Sequence, residues 1–467
     1  MPTPIDPTSL GFLLAENRNQ PMHVAGLQLF EKPADAGPHF ARELYESGLD
    51  TEEIAPLFSK RPSRSLSTLG QWVWTEDEEF DIEHHVRHSA LPEPGRIREL
   101  LELVSRLHGQ MLARERPLWE AHIIEGLADG RVAMYTKVHH ALVDGISAMK
   151  LMQSVLTTDP ERRGMPLPFD ARAVRTKKVR EASEHGLTEV PMEALRTAMG
   201  LTADAAGLPA ALVRTLNKGV RNEASALSFH APKSIFNVNI TGSRRFAADD
   251  WPLERIRAIS KASRTTLNDV VLAMCGGAVR NYLLELGQLP DTSLVSMVPV
   301  GLKSRSADSE AGGGGNAVGS VMAKLATDLP DPADRLAAIH ASMKAGKEAL
   351  ESMTPNQIIA MSALGMAPSL AIPMLRLNGI VRPPFNLIIS NVPGPRSTQY
   401  LNGARLTGTY PVSVPMQGMA LNITCNSYAD DMCFGLTGCR RTVPHLQRLL
   451  VHLDNEISAL ENATGVA

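Results

Sequence analysis

Residues 137–152 read KVHHALVDGISAMKLM, and this stretch decides both the fold class and the chemistry. The apolar-rich run 131–140, RVAMYTKVHH, predicts a strand that closes on two adjacent histidines, His139 and His140. Asp144-Gly145 then opens a helix whose buried stripe is Ile146, Met149, Met152, Val155 and Leu156. A histidine at a strand end can project its imidazole into a cleft, and an unperturbed pKa near 6.5 lets it take a proton from an alcohol. Neighbouring side chains on a strand point to opposite faces, so His139 and His140 do not share one substrate. One works while the other packs and braces the turn. Asp144 is expected to salt-bridge or hydrogen-bond within that turn, and Gly145 to allow a φ or a close approach that a Cβ would forbid.

Outward from this motif, both flanks alternate helical and strand patterns. N-terminal to it the pattern predicts a short helix at Ser9 to Glu16, a strand at 22–31 (MHVAGLQLFE) and helix through 35–58. A strand at QWVWTED, a helix over 96–114 and a strand at 121–126 follow. C-terminal to it, 158–187 is proline-punctuated and heavily charged, as a surface crossover or linker is, and helical segments fill 188–228. Strands are then expected near 236–246, 294–302, 317–326, 385–391, 418–428 and 432–440, with helices near 252–262, 268–287, 331–350 and 443–461. This predicts a mixed α/β protein of two lobes, 1–165 and 231–467, joined by a charged and helical connection over 166–230.

The 467-residue length agrees with two or three domains at roughly 150 residues each. Hydrophobic residues make up 43% and charged residues 21%, which excludes a disordered chain or a disulfide-stapled mini-protein. Forty-seven basic residues against 50 acidic ones argue against nucleic acid as a partner. Four cysteines without a paired C-x-x-C read as reduced thiols of a cytosolic protein. The first 20 residues lack the basic and apolar regions of a secretory signal. The most apolar stretch, 358–376, contains two prolines and suits a broken, buried helix pair better than a membrane span.

Other chemistries find little support. Adjacent histidines on opposite faces are poor co-ligands, and no H-E-x-x-H or cysteine partner accompanies them, so no metal is expected. No G-x-S-x-G elbow occurs, which leaves a histidine base without a protein nucleophile and points to direct attack by one bound substrate on another. The GGGG run at 312–315 matches no phosphate-binding fingerprint and reads as a loop, so no nucleotide cofactor is expected. His84, His85 and His88 form a second histidine cluster without a following Asp-Gly, read as a strand with exposed histidines.

HHALVDG resembles the HHxxxDG signature of the CoA-dependent acyltransferase superfamily, which includes chloramphenicol acetyltransferase and peptide-synthetase condensation domains. More narrowly, the chain resembles the bacterial wax ester synthase/acyl-CoA:diacylglycerol acyltransferase family. MHVAGLQLFE, FDIEHHVR, RPLWE, TLNDVVLA, MVPVGLK, GNAVGS (Asn316), SNVPGP and LNITCNSY carry that resemblance in order. It implies a chloramphenicol-acetyltransferase-like fold of two α/β lobes with the active site in a tunnel between them. It implies an O-acyltransferase that moves a long-chain acyl group from acyl-CoA to a fatty alcohol, to diacylglycerol or to both.

Carried over residue by residue, the resemblance makes His140 the general base and Asp144 a structural aspartate, and gives Asn268 and Asp269 a supporting role. The residues themselves leave other readings open. Asn268 is also a good helix N-cap. Pro117, Leu118 and Trp119 either pack between elements or line an acyl tunnel, and Ser390 and Asn391 either maintain the fold or touch substrate. Twenty methionines suit acyl channels and core packing equally. Lys303 stands where related sequences often carry arginine, and it lacks the planar fork for bidentate pairing. Acyl-CoA is a substrate here and no cofactor is implied. The expected setting is cytoplasmic, peripheral to the inner membrane or to lipid inclusions. A non-catalytic lipid-binding or inclusion-coating protein, or a superfamily enzyme with another acceptor, is the alternative.

Overall fold

The computed structural model describes residues 2–65, 68, 70–176, 231–301, 318–351, 353, 358 and 380–466. Lys303, the GGGG run, Asn316, most of 358–376 and the helical segments expected over 188–228 lie outside the described residues.

The N-terminal half contains β1 (Thr3–Pro4), α1 (Pro7–Ala15), β2 (His23–Glu31), α2 (Phe40–Leu49), β3 (Lys60–Ser63), β4 (Val73–Glu76), β5 (Val86–Ala90), α3 (Ile97–His108), β6 (Trp119–Glu125), β7 (Val132–His139), α4 (Gly145–Ser154) and α5 (Ala171–Thr176). The C-terminal half contains β8 (Arg244–Pro252), α6 (Leu253–Ser263), α7 (Leu267–Glu285), β9 (Val295–Gly301), β10 (Val318–Lys324), α8 (Pro332–Glu351), β11 (Leu387–Val392), β12 (Tyr400–Leu401), β13 (Ala404–Val412), β14 (Leu421–Tyr428), β15 (Asp431–Cys439) and α9 (Arg448–Thr464). Two six-stranded mixed sheets result, ordered β12-β13-β2-β7-β6-β5 and β10-β9-β11-β14-β15-β8, with β1-β4-β3 as a small third sheet.

The central strands are buried on both faces, and their few polar residues are buried with them. Every residue of β7 is buried, because β2 and β6 flank it and the lobe's core covers it. Helix α7 is equally enclosed, with the unbroken run Val270–Val279 buried in the C-terminal core.

Several expectations shift. The helix expected through 35–58 is confined to Phe40–Leu49, and the strand expected near 236–246 is Arg244–Pro252. Residues 236–240 alternate as a strand does, and the Phe236 and Val238 carbonyls accept the Ala420 and Gly418 N–H groups at 2.7 and 3.1 Å, but the segment forms no strand of the sheets and Asn237 donates from its side chain to the Phe385 and Gly418 carbonyls at 3.0 and 2.9 Å. The start of the charged connection is not a surface crossover. Met165, Leu167 and Phe169 are buried in the N-terminal core, and the Phe169 ring stacks on Trp119 at 4.9 Å. His85 is buried as well, contrary to the exposed reading; its ring lies between Phe80 and Trp119 and its Nδ1 is 2.9 Å from the Trp119 carbonyl.

The alternation misses β1, β3 and β12, and the longest strand that it misses is β13. It follows β11 in the C-terminal half, yet it pairs antiparallel with β2, from Arg405 opposite Glu31 to Val412 opposite Ala25. Gly408 sits at a register shift in this ladder, and Pro411, opposite Gly26, lies beyond the two-residue β12. The sheets meet at this strand: a Cβ on Gly435 of β15 would stand 1.9 Å from the Pro411 carbonyl, a contact that only glycine permits. Side-chain bonds fasten the junction, from Tyr410 Oη to Asp250 at 2.7 Å, from Phe246 N–H to Ser105 Oγ at 2.8 Å, and between His108 Nε2 and the Ser413 carbonyl at 2.9 Å.

Trp119 anchors the N-terminal core. It is fully buried, it donates from Nε1 to the Phe58 carbonyl at 2.8 Å, and it follows the residue whose carbonyl holds His139. Trp119→Ala is expected to lower stability by about 3–5 kcal/mol, read by guanidinium unfolding followed by circular dichroism. A loss under about 1 kcal/mol would place the indole outside the core.

Candidate active site

The histidine pair stands where three strand ends converge. His139 is the last residue of β7, opposite His23 of β2, and its N–H donates to the Leu118 carbonyl at 2.9 Å. The His140 N–H donates to the Met22 carbonyl at 2.8 Å. The chain then turns, with Leu142 N–H returning to the His139 carbonyl at 2.9 Å.

The two imidazoles have different surroundings, as strand alternation requires. His139 is completely buried. Its Nδ1 accepts the Ala141 N–H at 3.0 Å and its Nε2 lies 3.4 Å from Glu16 Oε1. The half-buried His140 stacks on Phe12, with ring centroids 4.2 Å apart and planes 19° apart. Its Nδ1 is shielded from solvent without a hydrogen-bond partner among the described residues. Burial pushes the His140 imidazole below the ordinary 6.5, the proximity of His139 adds to this, and the charge of Asp144 opposes it without prevailing. The ring is therefore neutral at pH 7, which is the state a general base needs.

Asp144 caps α4. Its Oδ1 accepts the Ser147 N–H at 2.8 Å and its Oδ2 the Ser147 hydroxyl at 2.9 Å, so the turn is held by hydrogen bonds. No salt bridge to Asp144 occurs among the described residues. Gly145 departs from expectation: it opens α4 without a positive φ, and a Cβ there would meet no described atom within 4 Å. Of the predicted helical stripe, Met149, Met152 and Val155 are buried, and Leu156 packs against the same core.

The supporting residues form a second group. The N-cap of α7 is Thr266, not Asn268, and Asp269 completes a capping box by accepting the Thr266 N–H at 2.9 Å. Asp269 is buried and its Oδ2 also meets His340 Nδ1 at 2.8 Å. Asn391 of β11 donates to Asn268 Oδ1 at 3.5 Å, so the TLND and SNVPGP segments meet. Ser390 lies beside them, and its carbonyl accepts the Cys425 thiol at 3.5 Å. No described hydrogen bond or ring contact joins this group to His140. Pro117, Leu118 and Trp119 are all buried; Leu118 packs with Leu13, Leu112 and Ala141 beneath the histidine turn.

Four residues that sequence reasoning did not single out complete the surroundings. Ser9, Phe12 and Glu16 recur at helical spacing along α1 and its C-cap, and Arg114 secures the last of them. Ser9 Oγ donates to the Ala141 carbonyl at 2.7 Å. Glu16 Oε1 accepts the Met22 N–H at 3.1 Å, and Oε2 accepts from Arg114 Nη2 at 3.2 Å. Burial works to raise the Glu16 carboxyl, but contacts with His139, Met22 and Arg114 prevail and hold it below its ordinary value. On the same face of β7, the buried Lys137 pairs with Glu120 at 3.1 Å and donates to the Leu107 and Gln110 carbonyls, pinning the end of α3. No cluster of three or more metal-ligating side chains occurs among the described residues.

Two mixed sheets joined at β13, with the histidine turn at the strand ends of the first, make up a fold found in solved structures. The first condensation domain of the CDA synthetase shares this fold at a TM-score of 0.56 and 15% identity, with 100% of this chain and 97% of that chain covered. The wax ester synthase/diacylglycerol acyltransferase of Marinobacter aquaeolei VT8 is far more similar, at a TM-score of 0.77 and 41% identity over 99% of this chain and all of that one. Two Mycobacterium tuberculosis proteins provisionally named diacylglycerol O-acyltransferases are 47% identical over 462 residues and 46% identical over 463 residues. They align with 99% and 98% of this chain, and with 100% and 99% of their own lengths. The wax ester synthase/diacylglycerol acyltransferase catalytic domain matches residues 5–271, and the C-terminal domain of the same family matches residues 314–461. The chain belongs to this acyltransferase family.

Two substitutions probe the turn. Asp144→Ala removes both bonds to Ser147 and is expected to cost about 0.5–2 kcal/mol. Asp144→Asn keeps a capping oxygen and should retain stability and turnover; loss of turnover in that variant at unchanged melting temperature would give the carboxylate a direct chemical role. Gly145→Ala is expected to melt no lower than wild type, because both the φ and the space suit alanine. A fall of several degrees would show that the added methyl meets a neighbour.

Proposed function

We propose that the chain is an acyl-CoA-dependent O-acyltransferase that forms wax esters, triacylglycerols or both, with His140 as general base. The observation that carries this reading is the His140 ring, neutral and half-buried at a strand end, in a chain that belongs to a family of such enzymes. His140 takes the proton of a fatty alcohol or diacylglycerol hydroxyl. The resulting oxygen attacks the thioester carbonyl, the carbon–sulfur bond breaks, and the imidazolium returns its proton to the departing CoA thiolate. Asp144 holds the turn that presents His140. Asn268 and Asp269, braced by Asn391 and His340, support the site from the C-terminal half. Acyl-CoA enters as substrate and no cofactor takes part.

The proposed setting is cytoplasmic, peripheral to the inner membrane or a lipid inclusion. No described helix is long and apolar enough to cross a membrane.

The deciding measurement is thiol release from palmitoyl-CoA with hexadecanol or a diacylglycerol, in wild type and His140→Ala. Acceptor-dependent release should fall about 10²–10⁴-fold in a folded mutant. Equal rates would remove His140 from the mechanism. No release from wild type with either acceptor would leave a lipid-binding protein or an acyltransferase with another acceptor.

The pH dependence follows from the sign of the shift. A base acts only when unprotonated, so kcat should stay level through neutral pH and decline only as pH falls through a value below 6.5. A decline centred above pH 7 would contradict the buried, neutral ring.

A further inference from the structure

We infer that Glu16 is a positioning residue for the general base: its carboxylate fixes the ring of His139, and the helix it terminates seats His140. This rests on the proposed function only for its kinetic consequence.

The His139 imidazole has one nitrogen committed. Nδ1 accepts the Ala141 N–H at 3.0 Å, so it carries no proton, and the ring's proton sits on Nε2. Nε2 is buried, and Glu16 Oε1 at 3.4 Å faces it. Nε2 makes no hydrogen bond of good geometry, so the Glu16 carboxylate is what faces its N–H, and removing it leaves that buried N–H with no carboxylate opposite. The ring can then recover a partner only by changing tautomer or by turning. Either change breaks the bond to Ala141, the residue that follows His140, and so moves the backbone carrying the base.

The same carboxylate reaches His140 by a second route. Glu16 ends α1, and it is tied to Met22, whose carbonyl holds the His140 N–H, and to Arg114, which also donates to the Leu13 carbonyl. Helix α1 carries Ser9 onto the Ala141 carbonyl and Phe12 onto the His140 ring. Both paths end on the two residues 140 and 141. Glu16 touches neither the reacting atoms nor His140, and acts through His139 and α1.

The test uses full-length chain labelled with ¹⁵N-histidine, with imidazole tautomers read from long-range ¹H–¹⁵N correlation spectra and His139 assigned by its loss in His139→Gln. Wild type should show His139 protonated at Nε2 alone. Glu16→Ala should show a changed or mixed tautomer. Its kcat for hexadecanol-dependent thiol release should fall about 10- to 100-fold, with KM for palmitoyl-CoA within about threefold. Glu16→Gln keeps an acceptor oxygen, and should keep the tautomer and hold kcat within about threefold of wild type. If Glu16→Ala does not fold, Glu16→Asp takes its place: one methylene shorter, it should keep Arg114 but lose His139, with the same change of tautomer. A folded alanine or aspartate variant with the wild-type His139 tautomer overturns the inference. So does a glutamine variant as impaired as alanine, since charge rather than acceptance would then be what matters. If wild type itself transfers no acyl group, the proposed function fails, and the tautomer still decides whether Glu16 fixes His139.

Discussion

The antiparallel ladder between β13 and β2 joins the two halves of the molecule, and the histidine site depends on it. Seven residue pairs, from Arg405–Glu31 to Val412–Ala25, bring a strand of the C-terminal half into the N-terminal sheet. The strand that receives it, β2, is the one whose first residue lies opposite His139. Moving β13 would therefore disturb β2, and with it the Met22 carbonyl that holds His140. Gly435 fixes the depth of the contact: with a side chain there, the Pro411 carbonyl could not approach and the sheets would stand apart. A one-residue slip in the ladder would turn every side chain of β13 to the opposite face of the sheet.

Within that frame, burial does chemical work. An imidazole in water is partly protonated near neutral pH, and a protonated base is useless for deprotonating an alcohol. Enclosing the ring disfavours its charged form more than the nearby Asp144 carboxylate favours it, so the neutral form prevails. Phe12 contributes to that enclosure with an apolar face that offers no competing hydrogen bond. The His140 ring therefore gains its neutral form from packing, and a helix distant in sequence, α1, is part of the proposed base's surroundings.

Legibility in the sequence followed periodicity. Strands β2, β6, β7, β9, β11, β14 and β15 could be read because their alternation or continuous burial is strong, and the histidine turn because its residue types and spacing are specific. What could not be read was decided by contacts between distant segments. A glycine and a proline in β13 look like strand breakers until the register shift at Gly408 and the pairing of Pro411 with Gly26 are known. His85 carries a polar label and is buried because its ring fits between two aromatic rings. Gly145 looked conformationally necessary from its place after an aspartate, whereas the helix begins there with ordinary backbone angles. Asn268 was a plausible cap by type, but Thr266 two residues earlier takes that position and leaves Asn268 to meet Asn391.

The division of labour between the two histidines shows the limit most clearly. Alternation says only that the rings face opposite ways; it cannot say which one is the base. Their partners supply the argument. His139 has its Nδ1 lone pair occupied by a backbone N–H and its Nε2 facing a carboxylate, so taking up a second proton would break the bond that shapes the turn. His140 has an apolar ring against one face and no described partner at Nδ1, so its lone pairs are not committed to holding the fold. A base must be free to gain and lose a proton without rearranging its support. By that criterion the proposed mechanism assigns the first histidine to the scaffold and the second to the chemistry, on the neighbours at residues 12, 16 and 141 rather than on the motif itself.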